Sequence, residues 1–583
     1  MSELSDQARG VIFVVIALAV LLVWVHYFSP PPPKTNPSQQ HTAAAVQPTQ
    51  HSAPVAKKGP EIAPAKPAPV IPAVRANQQQ VISIDSPIYQ VDMSNRGAVV
   101  TNWRLKKYLD DSTPPRPLDL VNGSSSQELG WPLSLQIPDN AKLESQANEA
   151  LYQVSVSTPQ GPAPANQTVY HAPITVSFHF SDGHLDVTKK LNFTQNYQLT
   201  IDTSVSFDGE PVSAALAWRG GFGDITVQHE AQLVQVYYNQ NGKVELLTYK
   251  KVGVSGNQSQ PALRSGPLEF GGIEDQFFAA TFIPDHMSDM SVWDWSRNRT
   301  ITVDGKQQSE PVAEMAAGAT QAEPLHMRMY VGPKDLALLR QVHPSLEALV
   351  NFGWTTIIGK PLLFVLQWLH KFIPNYGWAI VALTLIINFA VFPLKMKSWR
   401  SMQRMQSVMP EIRSIQDRYK KYSMTDPRKR KMNEEVMAVY SREGINPMGS
   451  CLPMVLQMPI WWALWEVLRG AIELRHAPWI FWVHDLSVKD PYYILPIAMT
   501  ITMYLMTKMT PQTAVDPAQQ KMMNLMPVMF GIFFFTLSSG LNLYMFTSNL
   551  VGVGQQYYLN RTRPLPKISK FKKKSERSVS VRT

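Results

Sequence analysis

The side chains of this chain that could do chemistry are polar groups set in stretches that are otherwise apolar. Thr384 and Asn388 lie in residues 376–394, a run with no formal charge. Gln457, Glu466 and Arg469 lie in residues 452–474, and Asn542, Thr547, Ser548 and Asn549 in residues 541–559. At membrane depth such groups are costly to leave in lipid and face protein or a wet cavity instead. What they offer is hydrogen bonding and charge, with no bond made or broken. Other chemistries find little support. His484-Asp485 has no evident serine or cysteine partner, so no catalytic residue is assigned. A single cysteine, Cys451, excludes an intrachain disulfide and a cysteine metal site. No His/Asp/Glu cluster shows metal spacing, so no metal is expected. Residues 353–360 superficially resemble a phosphate loop, but the spacing is one residue too long and Pro361 stands where a Ser or Thr is needed. A second group is basic: Lys395, Lys397, Arg400 and Arg404 crowd one flank of 376–394, and Lys570, Lys572, Lys573 and Lys574 lie near the C-terminus.

The elements that must position these groups follow from length and charge. Residues 376–394 span ~28 Å as a helix, one bilayer core. Basic residues at the C-terminal flank mark the cytoplasmic side, so this helix runs outside to inside. Residues 395–449 hold 13 Lys+Arg and 6 Asp+Glu. They read as a cytoplasmic hairpin of two helices whose apolar stripes, Met405, Val408, Ile412 and Ile415 on one and Met432, Val436 and Val439 on the other, face each other. Residues 452–474, 492–509, 522–535 and 541–559 then cross four more times, with the aromatic-rich loop 475–491 outside. Residues 11–28 form a further apolar run with no cleavage site close by, read as a retained anchor rather than a signal peptide. The total is six spans, both termini inside.

The remainder lies outside the membrane on this reading. Residues 29–77 are rich in Pro, Ala and Gln and form a disordered tether. Residues 78–332 alternate in the β manner, with clear runs at 152–157, 174–180, 185–193, 197–207, 233–238, 244–250 and 299–303. Turn signals at 181–183, 208–210, 241–242 and 304–305 separate them. This predicts a large antiparallel β-sandwich with a structural or docking role; a sugar- or peptide-binding groove is the alternative. Residues 78–350 carry 19 Lys+Arg against 29 Asp+Glu, so the excess positive charge lies in the membrane half and the tails. Residues 333–373 read as a helical linker and an amphipathic helix in the outer interface; a true span is the alternative. Residues 374–560 form the membrane core and 561–583 a basic tail.

The spans are rich in Met and Phe, which repack around different partners. No internal repeat of the kind a secondary transporter shows is visible. A polar groove with soft apolar walls suits the acceptance of a hydrophobic helix with polar flanks and its release to lipid. The motifs NPMGSCLPMVLQMPI (446–460), ELRHAPWIFWVHDLSVKDPYYILPI (473–497), DPAQQKMMNLMPVMF (516–530) and SSGLNLYMFTSNLVGVGQQ (538–556) closely resemble the YidC membrane protein insertases. The anchor, tether and β-domain are similar to the Gram-negative form with a large periplasmic domain. The resemblance implies an insertase and chaperone of the inner membrane, without cofactor or covalent chemistry. Its partners would be nascent membrane proteins, the Sec translocon, the ribosome and anionic lipids. It implies that Thr384 and Tyr544 line the client path, with Met545 where a second aromatic is expected. The family's groove arginine aligns with Asn388. Two readings of Arg469 follow: it replaces that charge from another helix, or it pairs with Glu466 and Glu473 and extends outward. Two other classes stay open on the residues alone: a solute transporter or channel, and an envelope assembly factor acting through its external domain.

Overall fold

The structure, a computed structural model, describes residues 72–562 apart from 165–166, 228–232, 286–289, 304–305, 320, 423–425, 446–451 and 511–516. The expected anchor, most of the tether and the basic tail with Lys570, Lys572, Lys573 and Lys574 lie outside the described residues, as do the turn at 304–305 and Cys451.

Strands between Val81 and Pro333 form one sheet of eleven strands and two of five. Among the described residues they carry the short helices α1 (Gly123–Leu129) and α2 (Ala141–Glu149). Pairing is antiparallel with one exception: Ser83–Asp85 runs parallel to Val169–His171. The two-residue turns form where the sequence asks for them. Asn241 and Gly242 have φ of 55° and 75°, and Asp208 and Gly209 have 52° and 85°. Two successive left-handed residues match the twist of a tight hairpin, which is why Asn-Gly and Asp-Gly serve there.

Strict alternation along Leu185–Phe193 drives residues 185, 187, 189, 191 and 193 inward. The inward register carries a lysine with it. Lys189 is buried, and its Nζ donates to the carbonyls of Gly97 (2.9 Å), Ala98 (3.2 Å) and Leu133 (2.8 Å). Three N–H donors meet three acceptors, which satisfies the ammonium without a counter-ion. Burial, helped by Arg219, still pushes its pKa down to about 7. The unfolded lysine titrates near 10.4. Between these values the unfolded chain binds a proton that the folded one does not, so the β-domain gains stability as pH rises through that window. In pulse proteolysis of the full chain in urea, the β-domain midpoint of the wild type is expected to rise from pH 7 to pH 9 relative to that of Lys189→Met. Parallel pH curves would show that Lys189 does not titrate there.

The chain then becomes helical: α3 (Leu336–Val342), α4 (Thr356–His370), α5 (Tyr376–Arg418), α6 (Pro427–Arg442), α7 (Leu452–Gly470), α8 (Ile494–Met509), α9 (Pro517–Phe534) and α10 (Ser539–Thr562). Helix α4 buries Leu363, Leu366 and Leu369 against the protein while Ile357, Phe364 and Trp368 are exposed. At 15 residues it reaches ~22 Å, short for a span, and its second apolar face suits an interface.

Helix α5 corrects the sequence reading. The membrane segment and the first arm of the hairpin are one helix of 43 residues, ~65 Å long, continuous through Pro393 and Pro410. A proline removes one hydrogen bond, and here both flanking segments are packed strongly enough to carry the helix through. Beyond the membrane segment, Met405, Val408, Met409, Ile412 and Ile415 form a separate core with Val439 of α6. By length and composition, α5 is the one helix among the described residues that qualifies as a membrane span; Ile494–Met509 and Lys521–Phe534 are apolar but shorter.

The loop 475–490 ties the β-domain to the helices. Arg475 and Asp224, both nearly inaccessible, form an ion pair, with Asp111 3.9 Å from the same guanidinium. His476 Nε2 lies 2.8 Å from Asp111 Oδ1. Gln276 donates to the carbonyl of Arg469 at 2.6 Å, and Asn375 at the start of α5 donates to the carbonyls of Pro478 and Trp479. Leu486 and Val488 accept backbone bonds from Gly540 and Ser539 at the start of α10.

Candidate functional site: a half-polar cavity among the membrane helices

The cavity arises from spacing. On α10, Met545, Ser548, Asn549, Gly552, Gln556 and Leu559 recur at three- and four-residue intervals and present one face. On α5, Phe392, Lys395, Trp399 and Met402 do the same. With Gln457 and Trp461 of α7 and Met506 of α8, these faces enclose about 410 Å3. Small residues on α10 leave the space, and methionine and tryptophan line it. Most of the polar side chains come from α5 and α10, with Gln457 of α7 and Thr510 after α8 beside them.

The deep wall is a chain of hydrogen bonds. Thr384 is fully buried and its hydroxyl donates to the carbonyl of Ile380 at 2.7 Å. Asn388, buried one turn further in, donates through Nδ2 to the Thr384 carbonyl (2.9 Å) and to Ser548 Oγ (3.2 Å). Lys395 Nζ donates to Asn388 Oδ1 at 2.9 Å. Gln555 donates to the Asn388 carbonyl at 3.4 Å, joining α10 to α5 again. On the opposite wall, Trp461 Nε1 donates to the sulfur of Met545 at 2.9 Å. Asn542 holds the turn before α10 by donating to the carbonyls of Phe534 and Leu537.

The residues singled out from sequence divide accordingly. Tyr544, Met545 and Lys395 line the cavity, and Asn388 and Thr384 form the buried wall behind it. Lys395 belonged with the basic flank in the sequence reading; the structure turns it inward, while Lys397, Arg400 and Arg404 are exposed further along α5. Glu466 and Arg469 are not brought to the cavity. Arg469 is exposed, pairs with Glu466 at 3.1 Å, and lies at the C-terminal end of α7 against the β-domain. Glu473 does not join that pair; its carboxylate accepts from Gln367 at 2.5 Å. Ser398, Trp399 and Met402 of α5 and Gln555 and Gln556 of α10 also line the cavity and were missed, although the first three follow Lys395 at three- and four-residue steps and the last two lie a turn from Gly552.

One titratable cluster forms that the sequence did not show: ligand atoms of Asp111, His476 and Asp485 lie within 4.8 Å of one another. The nearby Arg475 already supplies positive charge to Asp111, and the hydrogen bond from His476 holds that carboxyl below the usual range.

A β-rich domain seated on a helical bundle that carries such a cavity is the architecture of an integral membrane protein with a large extramembrane domain. Residues 81–365 match the family described as YidC periplasmic domain, and residues 368–566 match that described as 60Kd inner membrane protein. The membrane protein insertase YidC of Burkholderia multivorans is 29% identical over 571 residues, covering 95% of this chain and 98% of the relative. That of Burkholderia lata is 30% identical over 492 residues, covering 83% and 84%. A crystal structure of an active YidC insertase with its first transmembrane segment resolved covers 84% of this chain and 96% of its own, at 18% identity and a TM-score of 0.34. The chain belongs to the YidC family of membrane protein insertases. It is an inner-membrane protein with a periplasmic domain, and its substrates are membrane proteins.

Proposed function

We propose that the cavity between α5, α7, α8 and α10 is the groove in which this insertase receives a hydrophobic nascent segment before releasing it to lipid. The observation that carries this reading is the asymmetry of the lining. On one side Lys395, Ser548 and Gln555 line the cavity and hydrogen-bond to Asn388 behind them, and on the other Met458, Trp461 and Met545 predominate, with Gln457 the polar side chain among them. A client's polar flank meets hydrogen-bonding groups while its apolar part meets soft apolar walls. Carrying one charge to the centre of a bilayer costs nominally ~2.5–3.5 kcal/mol, and a polar groove lowers that cost. Exposed apolar side chains on α7 and α9, Met458, Trp462, Met529 and Phe533, supply a surface toward lipid beside the cavity.

The topology that serves this function has six spans: residues 11–28, the first part of α5, α7, α8, α9 and α10. Both termini and the α5–α6 hairpin lie in the cytoplasm. Positive charge at the inner ends and the net negative charge of residues 78–350 support it. Helices α8 and α9 are ~24 and ~27 Å long, enough to cross where the bilayer thins around them. The basic hairpin and the tail with Lys570, Lys572, Lys573 and Lys574 suit ribosomal RNA or anionic lipid, through counterion release or surface potential. Delivery is by the ribosome, alone or with the Sec translocon.

The test places photoreactive probes at Met545, Tyr544 and Asn388, and at Ile386 on the exposed face of α5, in membranes with ribosomes stalled on a single-span client. Adducts at the first three positions and none at Ile386 are expected. A correctly inserted protein giving no adducts at the cavity positions would refute the groove.

A further inference from the structure

Asp111, His476 and Asp485 meet where the β-domain is seated on the helices. His476 Nε2 lies 2.8 Å from Asp111 Oδ1 and 3.8 Å from Asp485 Oδ2, and the three ligand atoms fall within 4.8 Å of one another. A zinc ion held by imidazole nitrogen and carboxylate oxygen at ~2.0–2.2 Å sets tetrahedral ligands ~3.3 Å apart. That spacing lies between the two His476 distances, so small side-chain rotations would complete the triangle. Asp111 and His476 are 365 positions apart, which is why no local spacing announces the group.

Bonds to residues outside the triad hold each ligand in place. Leu486 N donates to the Ala477 carbonyl at 3.0 Å, which keeps the neighbours of His476 and Asp485 side by side. Asp485 Oδ1 accepts from the backbone N–H and the hydroxyl of Ser487, both at 2.7 Å, and leaves Oδ2 toward the imidazole. The Asp111 N–H donates to Thr226 Oγ1 at 2.9 Å. Charge independently calls for a cation here. The guanidinium of Arg475 is paired with Asp224 and lies 3.9 Å from Asp111. Asp111, Asp224 and Asp485 thus place three carboxylates around one guanidinium. With a neutral imidazole the group is two charges negative, the amount a divalent ion supplies. The imidazole also selects among such ions. Calcium takes about six to eight oxygen ligands and magnesium an oxygen octahedron, whereas a nitrogen beside two carboxylates suits zinc and its transition-metal neighbours.

We propose that Asp111, His476 and Asp485 form a binding site for a divalent transition metal of the zinc type, which pins the β-domain to the loop between α7 and α8. One ligand comes from the β-domain and two from the loop, so the bound metal bridges the seam. Three protein ligands leave a fourth position for water, which reaches the site because the side chains of Asp111 and His476 are 36% and 30% exposed. The site is separate from the cavity among the membrane helices and does not depend on where clients pass.

The test uses the full chain in lipid nanodiscs, stripped with EDTA and titrated with Zn2+ against a chromophoric chelator at constant pH. His476 has a left-handed backbone, φ 55°, which asparagine also tolerates, so His476→Asn removes the imidazole without straining the loop. The wild type is expected to bind one more tight equivalent of Zn2+ than this variant. Asp485→Asn should weaken that equivalent at least about tenfold, since even an outer partner of a metal ligand is worth that much. With Co2+ as the probe, the visible absorption of a tetrahedral site should appear in the wild type and be missing from His476→Asn. Hydrogen exchange supplies the structural readout: Zn2+ should raise protection over residues 475–486 in the wild type and not in His476→Asn, with the strand Leu185–Phe193 equally protected in both. If one variant loses protection in that strand, the other variant decides. Equal Zn2+ stoichiometry and affinity in the wild type and the folded variants would overturn the site. Equal protection by Mg2+ at the same concentration would also overturn it, because simple screening of an acidic seam would then suffice.

Discussion

Replacing Arg475 with alanine is expected to loosen the contact between the β-domain and the membrane helices while leaving each folded. Arg475 and Asp224 are each about nineteen-twentieths buried, at 5% and 6% side-chain exposure. The guanidinium also lies over the rings of Phe278 (5.4 Å) and Phe277 (5.9 Å). Removing one member of a buried ion pair leaves the other charge desolvated and uncompensated, a cost of about 3–5 kcal/mol. The lost cation–π contacts add about 0.5–1 kcal/mol each. His476 to Asp111 and Gln276 to the Arg469 carbonyl also cross this seam, and the buried hydrophobic core runs on from the β-domain into the helices. The loss should therefore loosen the seam locally around the stranded Asp224 rather than free the domain. Hydrogen exchange in the full chain reads this directly: residues 475–490 and 275–278 should lose protection together, with the strand Leu185–Phe193 unaffected. Arg475→Lys keeps the charge without the planar fork and should fall between the two. A double-mutant cycle with Asp224→Ala isolates the pair, because deleting both charges removes the stranded one. Unchanged exchange in Arg475→Ala would mean that the apolar core and the remaining hydrogen bonds hold the seam without the ion pair.

That seam was not legible in the sequence. Its partners are separated by some two hundred and fifty residues, and nothing in the local pattern of Asp224 or Arg475 distinguishes them from surface charges. What was legible is what depends on short-range physics. The alternation over Leu185–Phe193 and the Asn241-Gly242 turn are local choices with one good solution each, and the structure adopts them. The same alternation held information that was passed over. It places Lys189 on the inward face, and a charge in an inward register asks at once for buried acceptors. Asn388 was identifiable because a polar residue stands out in an apolar run. Lys395 reads from sequence as part of the basic flank, because a basic residue at the end of an apolar run has an ordinary explanation in the positive-inside rule. That its ammonium lies on the Asn388 amide at the cavity wall depends on the direction of the side chain, which the residue order does not give. The pairing of Arg469 with Glu466 was legible from their spacing, whereas the bond of Glu473 to Gln367 joins residues over a hundred apart and was not.

Filling the cavity from Gly552 should abolish insertion with little effect on the fold. Glycine in the middle of a helix is a poor choice on propensity, about 1 kcal/mol worse than alanine, so its presence in α10 asks for a reason. Close packing is a weak one: a Cβ at this position would meet only the Sδ and Cε of Met506, both at 3.5 Å, which is ordinary contact with a flexible side chain. The better reason is the space itself, since Gly552 lies on the α10 face that lines the cavity between Ser548 and Gln556. Gly552→Ala should therefore fold at least as well as the wild type and insert clients at a comparable rate. Gly552→Phe should also fold, because its ring has the cavity to enter, and burying it there gains about 1.5–3 kcal/mol that offsets local adjustment. The ring would occupy the place of a client side chain between Lys395 and Met545. Insertion of a single-span client should fall at least about tenfold, the loss expected when ~1.4 kcal/mol of client binding is removed. Photoadducts from a probe at Tyr544 should fall in parallel, and the urea midpoint should not. Full insertion by a folded Gly552→Phe protein would mean that clients cross elsewhere, and the exposed apolar faces of α7 and α9 would then have to carry them without the polar wall.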